Sequence, residues 1–249
     1  MEKQKKKTSL KPRIQKAKAK FFASYYSNPA KDLRIIAITG DDGRDTTAHY
    51  LQEIIKHHDA KTGLIIDPTS TSSLYRQLSK IWRIGSDHVV ISVSSSALAN
   101  HLFYGLPIFA AVITDSANTA AITTTSTNDS DAKAILFNTQ PFFSIISRDN
   151  PNFDFYAKYP SKTATLSYGH ERSSDLRINH FKLYKKGTEA NFTYGTDSFD
   201  VATYLTSEAA VSYMAAATLT ALAVGVDIAC RVKITVFDGN YDALTQNNQ

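Results

Sequence analysis

Cysteine is almost absent from this 249-residue sequence, which contains only Cys230. A single thiol cannot form an intramolecular disulfide, so the sequence excludes a disulfide framework and favours a reducing, cytoplasmic location. A secretory signal pattern is also lacking, because no apolar segment follows the basic start. Residues 209–226 form an alanine-rich stretch of 18 residues without a charged side chain. Its modest hydrophobicity predicts a buried helix of a soluble domain rather than a transmembrane span.

Several catalytic motifs are missing as well. The seven histidines show no metal-ligand spacing, no G-x-S-x-G sequence occurs, and no histidine lies near Cys230 in the sequence. These absences argue against a histidine metal centre, a serine hydrolase elbow and a cysteine nucleophile paired with a neighbouring base.

Positive charge is concentrated at the start of the chain. Residues 1–20 contain eight lysines, one arginine and one glutamate, a net charge of +8, whereas the whole chain carries +5. The remainder is therefore slightly acidic, at −3. Such a basic arm either binds an anionic partner, such as a nucleic acid or a membrane, or is a solvated tail. The spacing of Ile14, Ala17, Phe21 and Phe22 predicts a helix whose far end packs on the domain.

Apolar segments alternate with helical patterns over the first half of the chain. Strands are predicted over 34–39, 64–67, 88–93 and 109–114, with helices between them. This order predicts an α/β fold with a mostly parallel sheet covered by helices on both faces. From residue 163, short strands separated by glycine turns predict a smaller antiparallel portion, followed by a helix over 208–224 and a strand over 231–237.

The strand over 34–39 leads into a glycine turn and the start of a helix. Such a unit directs backbone N–H groups and a helix N-terminus at one point, which is a ready anion site. A P-loop adds a lysine and a hydroxyl residue after its last glycine. Here Arg44 and Asp45 hold those two positions. The candidate nucleotide-binding residues are Gly40, Asp42, Gly43, Arg44, Asp45 and Thr46.

Several strings, in order along the chain, resemble the central domain of the Mur ligases. They are the loop at 39–46, Ser92-Val93-Ser94-Ser95-Ser96-Ala97-Leu98, Gly105-Leu106-Pro107 and Ala132-Lys133-Ala134-Ile135-Leu136-Phe137. The similarity is greatest to the type that adds the third residue of the stem peptide in cell-wall synthesis. The resemblance implies a P-loop domain that uses ATP and Mg²⁺. It also implies domain boundaries: a basic arm over 1–32, the central domain over 33–237 and a truncated hinge over 238–249.

The metal-binding positions implied by the resemblance are largely replaced. Ser92 stands where the family has glutamate, and Thr119-Ala120 stands where it has an Asp-His pair. Ala210 and Tyr213 replace asparagines near the adenine site. Lys133 matches a lysine that several members carbamylate to hold a second magnesium, although an ordinary surface lysine fits the pattern too. These changes predict that ATP and Mg²⁺ bind weakly or not at all, unless a Mg²⁺ ion bridges Asp45 to the phosphates.

Three functions follow as hypotheses. The first is a non-catalytic relative that acts through a partner, such as a Mur ligase or another cell-wall enzyme, because the UDP-sugar-binding and C-terminal domains of the family have no counterpart here. The second is an active ligase or ATPase, with Arg44 on phosphate and with Asp45 and Lys133 as metal-site residues. The third makes the basic arm the functional part, binding nucleic acid or an anionic membrane.

Overall fold

The computed structural model of the protein describes residues 10–58, 61–114 and 127–226. The basic residues 1–9, the Thr119-Ala120 pair, Cys230, the strand predicted over 231–237 and the tail from 238 lie outside these ranges.

Helices and strands alternate along most of the described chain. The helices are α1 (Leu10–Tyr25), α2 (Arg44–His57), α3 (Thr71–Arg83), α4 (Ser95–Ala99), α5 (Thr127–Phe137), α6 (Phe153–Ala157) and α7 (Glu208–Ala223). The strands are β1 (Arg34–Thr39), β2 (Thr62–Ile66), β3 (His88–Ser92), β4 (Ile108–Ile113), β5 (Phe143–Ser147), β6 (Ala164–Gly169), β7 (Leu176–Tyr184), β8 (Gly187–Tyr194) and β9 (Asp197–Thr203).

The nine strands form one sheet in the order β2-β3-β1-β4-β5-β6-β7-β8-β9. Neighbouring strands from β2 to β7 pair in parallel, and β8 pairs antiparallel with both β7 and β9. This confirms the predicted α/β class and its antiparallel portion. The order reverses beside β1, which has β3 on one side and β4 on the other. A crevice forms at such a reversal, outside the carboxyl ends of the strands.

Two hydrophobic layers cover the sheet. On one face, α2 and α7 pack over Ile36, Ile38 and Val112. On the other face, α1, α3, α4, α5 and α6 pack over Ile35, Ala37 and neighbouring apolar residues. The strands of the parallel part are therefore buried on both faces, which explains their nearly continuous apolar sequence.

Helix α7 is the alanine-rich stretch noted in the sequence, and it lies inside the domain. Every residue from Ala210 to Ala221 is buried, because the helix packs against α2 and several strands at once. Small side chains allow this close approach. Ser207 caps the helix by accepting a hydrogen bond from the Ala210 amide at 3.1 Å. Among residues 10–58, 61–114 and 127–226, no helix has the length and apolarity needed to cross a bilayer.

Two details of the predicted organisation were wrong. Strand β6 pairs in parallel with β5, so it belongs to the parallel part rather than to the antiparallel meander. The short helix α6 follows the turn at Asp149–Pro151, where the sequence predicted only a turn. The helix predicted in the basic arm is present as α1, and its far end packs on the domain through Phe22, Ala23 and Tyr26.

Candidate functional site

The loop between β1 and α2 lies at the point where the strand order reverses. Gly43 caps α2 with a φ of 70°, a backbone conformation that favours glycine. The loop is tied to the end of β4, because the Thr114 hydroxyl donates to the carbonyl oxygen of Asp42 at 2.6 Å. The Gly43 amide donates to the Asp42 carboxylate at 2.8 Å. One of the loop's backbone N–H groups is therefore already hydrogen-bonded to an acidic side chain of the protein itself.

Arg44 and Asp45 bond to groups of this chain. The Ser92 hydroxyl at the end of β3 donates to the Asp45 carboxylate. Arg44 Nε lies 3.4 Å from Asp45 Oδ1, and Arg44 Nη2 lies 3.9 Å from Asp67 Oδ2. Asp67 also accepts from the Ser94 amide at 3.1 Å. The guanidinium that the sequence placed on a phosphate thus lies within ion-pair distance of two carboxylates. Thr46 lies half-buried in the first turn of α2.

Lys133 of α5 reaches the same loop from the other face of the sheet. Its Nζ lies 2.7 Å from Asp41 Oδ2 and 2.8 Å from Asp129 Oδ2. The alternative of an ordinary surface lysine is wrong, because the Lys133 side chain is only 1% exposed. Burial alone would raise the pKa of Asp129, but hydrogen bonds from Lys133 and Ser95 outweigh it and lower that pKa. Two carboxylates around the amine stabilise an ammonium, whereas a carbamate would add a third negative charge.

The charges around the loop sum to a negative value. Five carboxylates, contributed by Asp41, Asp42, Asp45, Asp67 and Asp129, stand against the cations of Arg44 and Lys133, which gives −3. Both cations are in ion pairs with these carboxylates. An incoming triphosphate would therefore meet net repulsion, reduced only by the loop's backbone N–H groups.

Tyr213 of α7 lies directly over the loop, a feature that the sequence did not reveal. Its hydroxyl donates to Asp42 Oδ2 at 2.5 Å. A Cβ atom added to Gly43 would lie 2.0 Å from Tyr213 Cε1, so the aromatic ring is in close contact with the glycine backbone. The only signal in the sequence was that Tyr213 replaces a family asparagine. The contact itself could not be predicted, because Tyr213 and Asp42 are 171 positions apart in the sequence.

Substituting Gly43 by alanine is expected to lower the free energy of unfolding by about 2–4 kcal/mol, measured by urea denaturation. About 1–2 kcal/mol comes from the left-handed backbone, and the rest comes from the clash with Tyr213. Gly105→Ala is the matched control, since Gly105 has a φ of 76° with nothing within 4 Å of an added Cβ. Gly105→Ala should lower the free energy of unfolding only by the backbone contribution of about 1–2 kcal/mol. Equal losses for the two variants would show that the Tyr213 contact is unimportant.

Metal ligands do not gather at this loop in the described part of the chain. Across residues 10–58, 61–114 and 127–226, no group of three or more His, Cys, Asp or Glu side chains is arranged to hold a metal ion. Asp45, the candidate magnesium ligand, is instead bonded to Ser92 and lies near Arg44. The Arg44 guanidinium beside this carboxylate disfavours a Mg²⁺ ion at Asp45, because the two cations would repel each other.

Comparison with known proteins gives consistent results. The family model described as the Mur ligase middle domain matches residues 38–221. The UDP-N-acetylmuramoyl-L-alanyl-D-glutamate–2,6-diaminopimelate ligases of Bacillus licheniformis and Clostridium botulinum are 26% and 27% identical over 66% and 75% of this chain. The chain covers only 38% and 42% of their length, so it spans less than half of these curated relatives.

Solved structures show the same fold. A structure of a 2,6-diaminopimelate-adding ligase has a TM-score of 0.74 at 21% identity, over 88% of this chain and 48% of that one. MurF from Thermotoga maritima, in complex with ADP, has a TM-score of 0.63 at 18% identity, over 84% and 51%. Folylpolyglutamate synthetase from Lactobacillus casei has a TM-score of 0.64 at 13% identity, over 87% and 64%.

The family match extends over most of the chain, from the end of β1 to near the end of α7. It includes the glycine loop, Lys133 and the Tyr213 position, so the departures described above occur within aligned structure. The chain belongs to the Mur ligase middle-domain family.

Proposed function

We propose that this chain is a non-catalytic relative of the Mur ligases, which binds ATP and Mg²⁺ weakly or not at all and acts through a partner in peptidoglycan precursor synthesis. One observation carries the proposal. The two basic side chains at the glycine loop, Arg44 and Lys133, are each held by carboxylates of this chain. Transfer of a γ-phosphoryl group needs cations that are available to neutralise its oxygens.

The replaced positions support the proposal because they act together. The acidic Asp45 stands where a hydroxyl would ligate magnesium, and its carboxylate accepts from Ser92, which itself replaces a glutamate. Tyr213 covers Gly43 and bonds to Asp42, on the side where the family places adenine. The sites for the phosphates, the metal and the adenine base each lose a binding group. Restoring one of these sites would therefore leave the other two impaired.

The partner is proposed to be a Mur ligase or another cell-wall enzyme in the cytoplasm. Analytical ultracentrifugation of the chain with the diaminopimelate-adding ligase of the same organism tests this part. A complex supports it. Independent sedimentation of the chain from each Mur ligase of that organism refutes a Mur ligase as the partner.

Catalysis is tested with the purified chain, ATP, Mg²⁺, UDP-N-acetylmuramoyl-L-alanyl-D-glutamate and 2,6-diaminopimelate. We expect no phosphate release and no tripeptide product above a protein-free blank, measured by a coupled phosphate assay and mass spectrometry. A full-length diaminopimelate-adding ligase serves as the positive control. Peptide-bond formation coupled to ATP hydrolysis by the chain alone would establish the rival hypothesis of an active ligase.

A further inference from the structure

Helices α1 and α3 form an unusually basic face on one side of the sheet. Their 29 residues include eight Lys and Arg and no Asp or Glu. They are neighbours, since the Thr71 hydroxyl donates to Gln15 Oε1 at 3.3 Å and both helices pack in the same core layer. The basic side chains of α3, Arg76, Lys80 and Arg83, are all exposed.

This charge is separated from that of the rest of the protein. Residues 1–9 add four lysines and one glutamate to the eight basic residues of α1 and α3. These three segments together carry a net charge of +11. Because the whole chain carries +5, the other 211 residues carry −6. Such a concentration of positive charge favours the approach of these segments to an anionic surface.

An apolar stripe runs along α1 within this basic face. Ile14, Phe21 and Tyr25 are 51%, 63% and 70% exposed. Their spacing of seven and four residues places them on one side of the helix. Phe21 and Tyr25 stack with ring centroids 6.1 Å apart. The side of α1 that packs on the domain is a different one, formed by Ala19, Phe22, Ala23 and Tyr26.

We propose that the α1–α3 face binds the surface of an anionic phospholipid bilayer. Phe21, Tyr25 and Ile14 enter the headgroup region, and the surrounding lysines and arginines contact lipid phosphates. The combination of an exposed apolar stripe and a basic surround is typical of helices that lie in the plane of a membrane. At 16 residues, α1 is about 24 Å long, enough to lie along a bilayer.

A lipid surface fits these residues better than a nucleic acid does. Binding to single-stranded nucleic acid would use flat rings for base stacking, and Ile14 offers none. Four of the five basic residues of α1 are lysines, which act as point charges rather than as bidentate readers of phosphate. The inference does not depend on the state of the glycine loop, which lies in another part of the molecule.

The test is co-sedimentation of the full chain with vesicles of phosphatidylcholine containing 30% phosphatidylglycerol, and with phosphatidylcholine alone. We expect binding only to the anionic vesicles, with release as NaCl rises to 0.5 M. Each lysine near an anionic bilayer strengthens binding about fivefold, so Lys16→Gln/Lys18→Gln/Lys20→Gln should weaken it about a hundredfold. Phe21→Ser/Tyr25→Ser should weaken it about tenfold.

The control is Lys182→Gln/Lys185→Gln/Lys186→Gln. Lys182 lies near the end of β7, and Lys185 and Lys186 lie in the turn that follows; all three are exposed, beside the exposed Leu183 and Tyr184. Glu189 and Asp200 line the same surface pocket as Lys182. All the substituted side chains are exposed, and thermal unfolding followed by circular dichroism verifies that each variant folds. Unchanged vesicle binding by this control supports the proposal. Absence of binding to anionic vesicles, or equal loss in the control, overturns it, as does binding of duplex DNA in preference to the vesicles.

Discussion

Replacing Asp45 by threonine and Arg44 by lysine is expected to give the chain a higher affinity for ATP than the wild type has. A carboxylate charge about 4 Å from a phosphate charge costs about 4 kcal/mol at an effective dielectric constant near 20. The Asp45 side chain is 50% exposed, so solvent and salt reduce this repulsion. Removing the charge is therefore expected to lower the dissociation constant for ATP by about tenfold to a thousandfold.

Isothermal titration calorimetry with ATP and Mg²⁺ measures this effect. We expect no heat from the wild type at millimolar ATP, and binding by the double variant. Asp45→Asn is the matched control, since it removes the charge while keeping the size, and it should gain most of the affinity. Arg44→Lys alone keeps the net charge and should change little. The gain should shrink as ionic strength rises, because screening weakens the repulsion that the substitution removes.

The same titration distinguishes the two roles proposed for Asp45. If Asp45 bridged a Mg²⁺ ion to the phosphates, the wild type would bind ATP·Mg²⁺ and Asp45→Asn would weaken that binding. That result would favour the active-ligase hypothesis. The present contacts argue against it, because the Asp45 carboxylate is bonded to Ser92 and lies 3.4 Å from Arg44 Nε.

The fold could be predicted largely from local pattern. Strand β1 reads Arg-Ile-Ile-Ala-Ile-Thr, a buried apolar run before a glycine turn, and the next strands repeat the pattern with helices between them. The pairing of β6 could not be predicted from its sequence. The alternation of side chains between the two faces of a strand is the same whether the neighbouring strand is parallel or antiparallel. Which strand lies beside it depends on the path of the chain through α6, a short helix without a strong start signal.

The candidate site was predictable as a loop but not as a set of contacts. Gly40 and Gly43 place a turn between a strand and a helix, and Arg44 and Asp45 follow directly in sequence. The bond between Lys133 and Asp41 joins residues 92 positions apart, and it depends on α5 lying beside the β1–α2 loop. Sequence alone favoured a surface position for Lys133, because its neighbours in α5 are both apolar and acidic and do not reveal its burial.

Lys133→Met is expected to lower the free energy of unfolding by about 3–5 kcal/mol. The substitution leaves the Asp41 and Asp129 carboxylates, which are each 24% exposed at the side chain, close together without their cation. Breaking a buried ion pair by removing one partner costs about this much, since the remaining charge is poorly solvated. For a domain of this size the melting temperature should fall by roughly 10 °C. Urea denaturation and calorimetry at pH 7 measure the two quantities.

Lys56→Met is the matched control. Lys56 lies on α2 in an exposed pair with Glu53, with Nζ 2.9 Å from Glu53 Oε1 and 44% of the lysine side chain exposed. An exposed pair of this kind contributes about 0.5 kcal/mol or less. If Lys133→Met were as mild as Lys56→Met, the ion-paired description of the glycine loop would be wrong, and with it the argument that Lys133 is unavailable to a phosphate or a carbamate.

The pH dependence gives an independent reading of the same pair. In the wild type the pKa of Asp129 is lowered, so this group stabilises the fold above its unfolded pKa near 3.9, and the contribution is lost as the pH falls through the folded value. In Lys133→Met the pKa of Asp129 should rise, because its burial remains and the lysine that lowers its pKa is gone, so that variant should gain stability as the pH falls from 7 toward 5. The difference between wild type and variant should therefore shrink on acidification. A difference that stays constant from pH 7 to 4 would show that Lys133 stabilises the protein by packing rather than by charge.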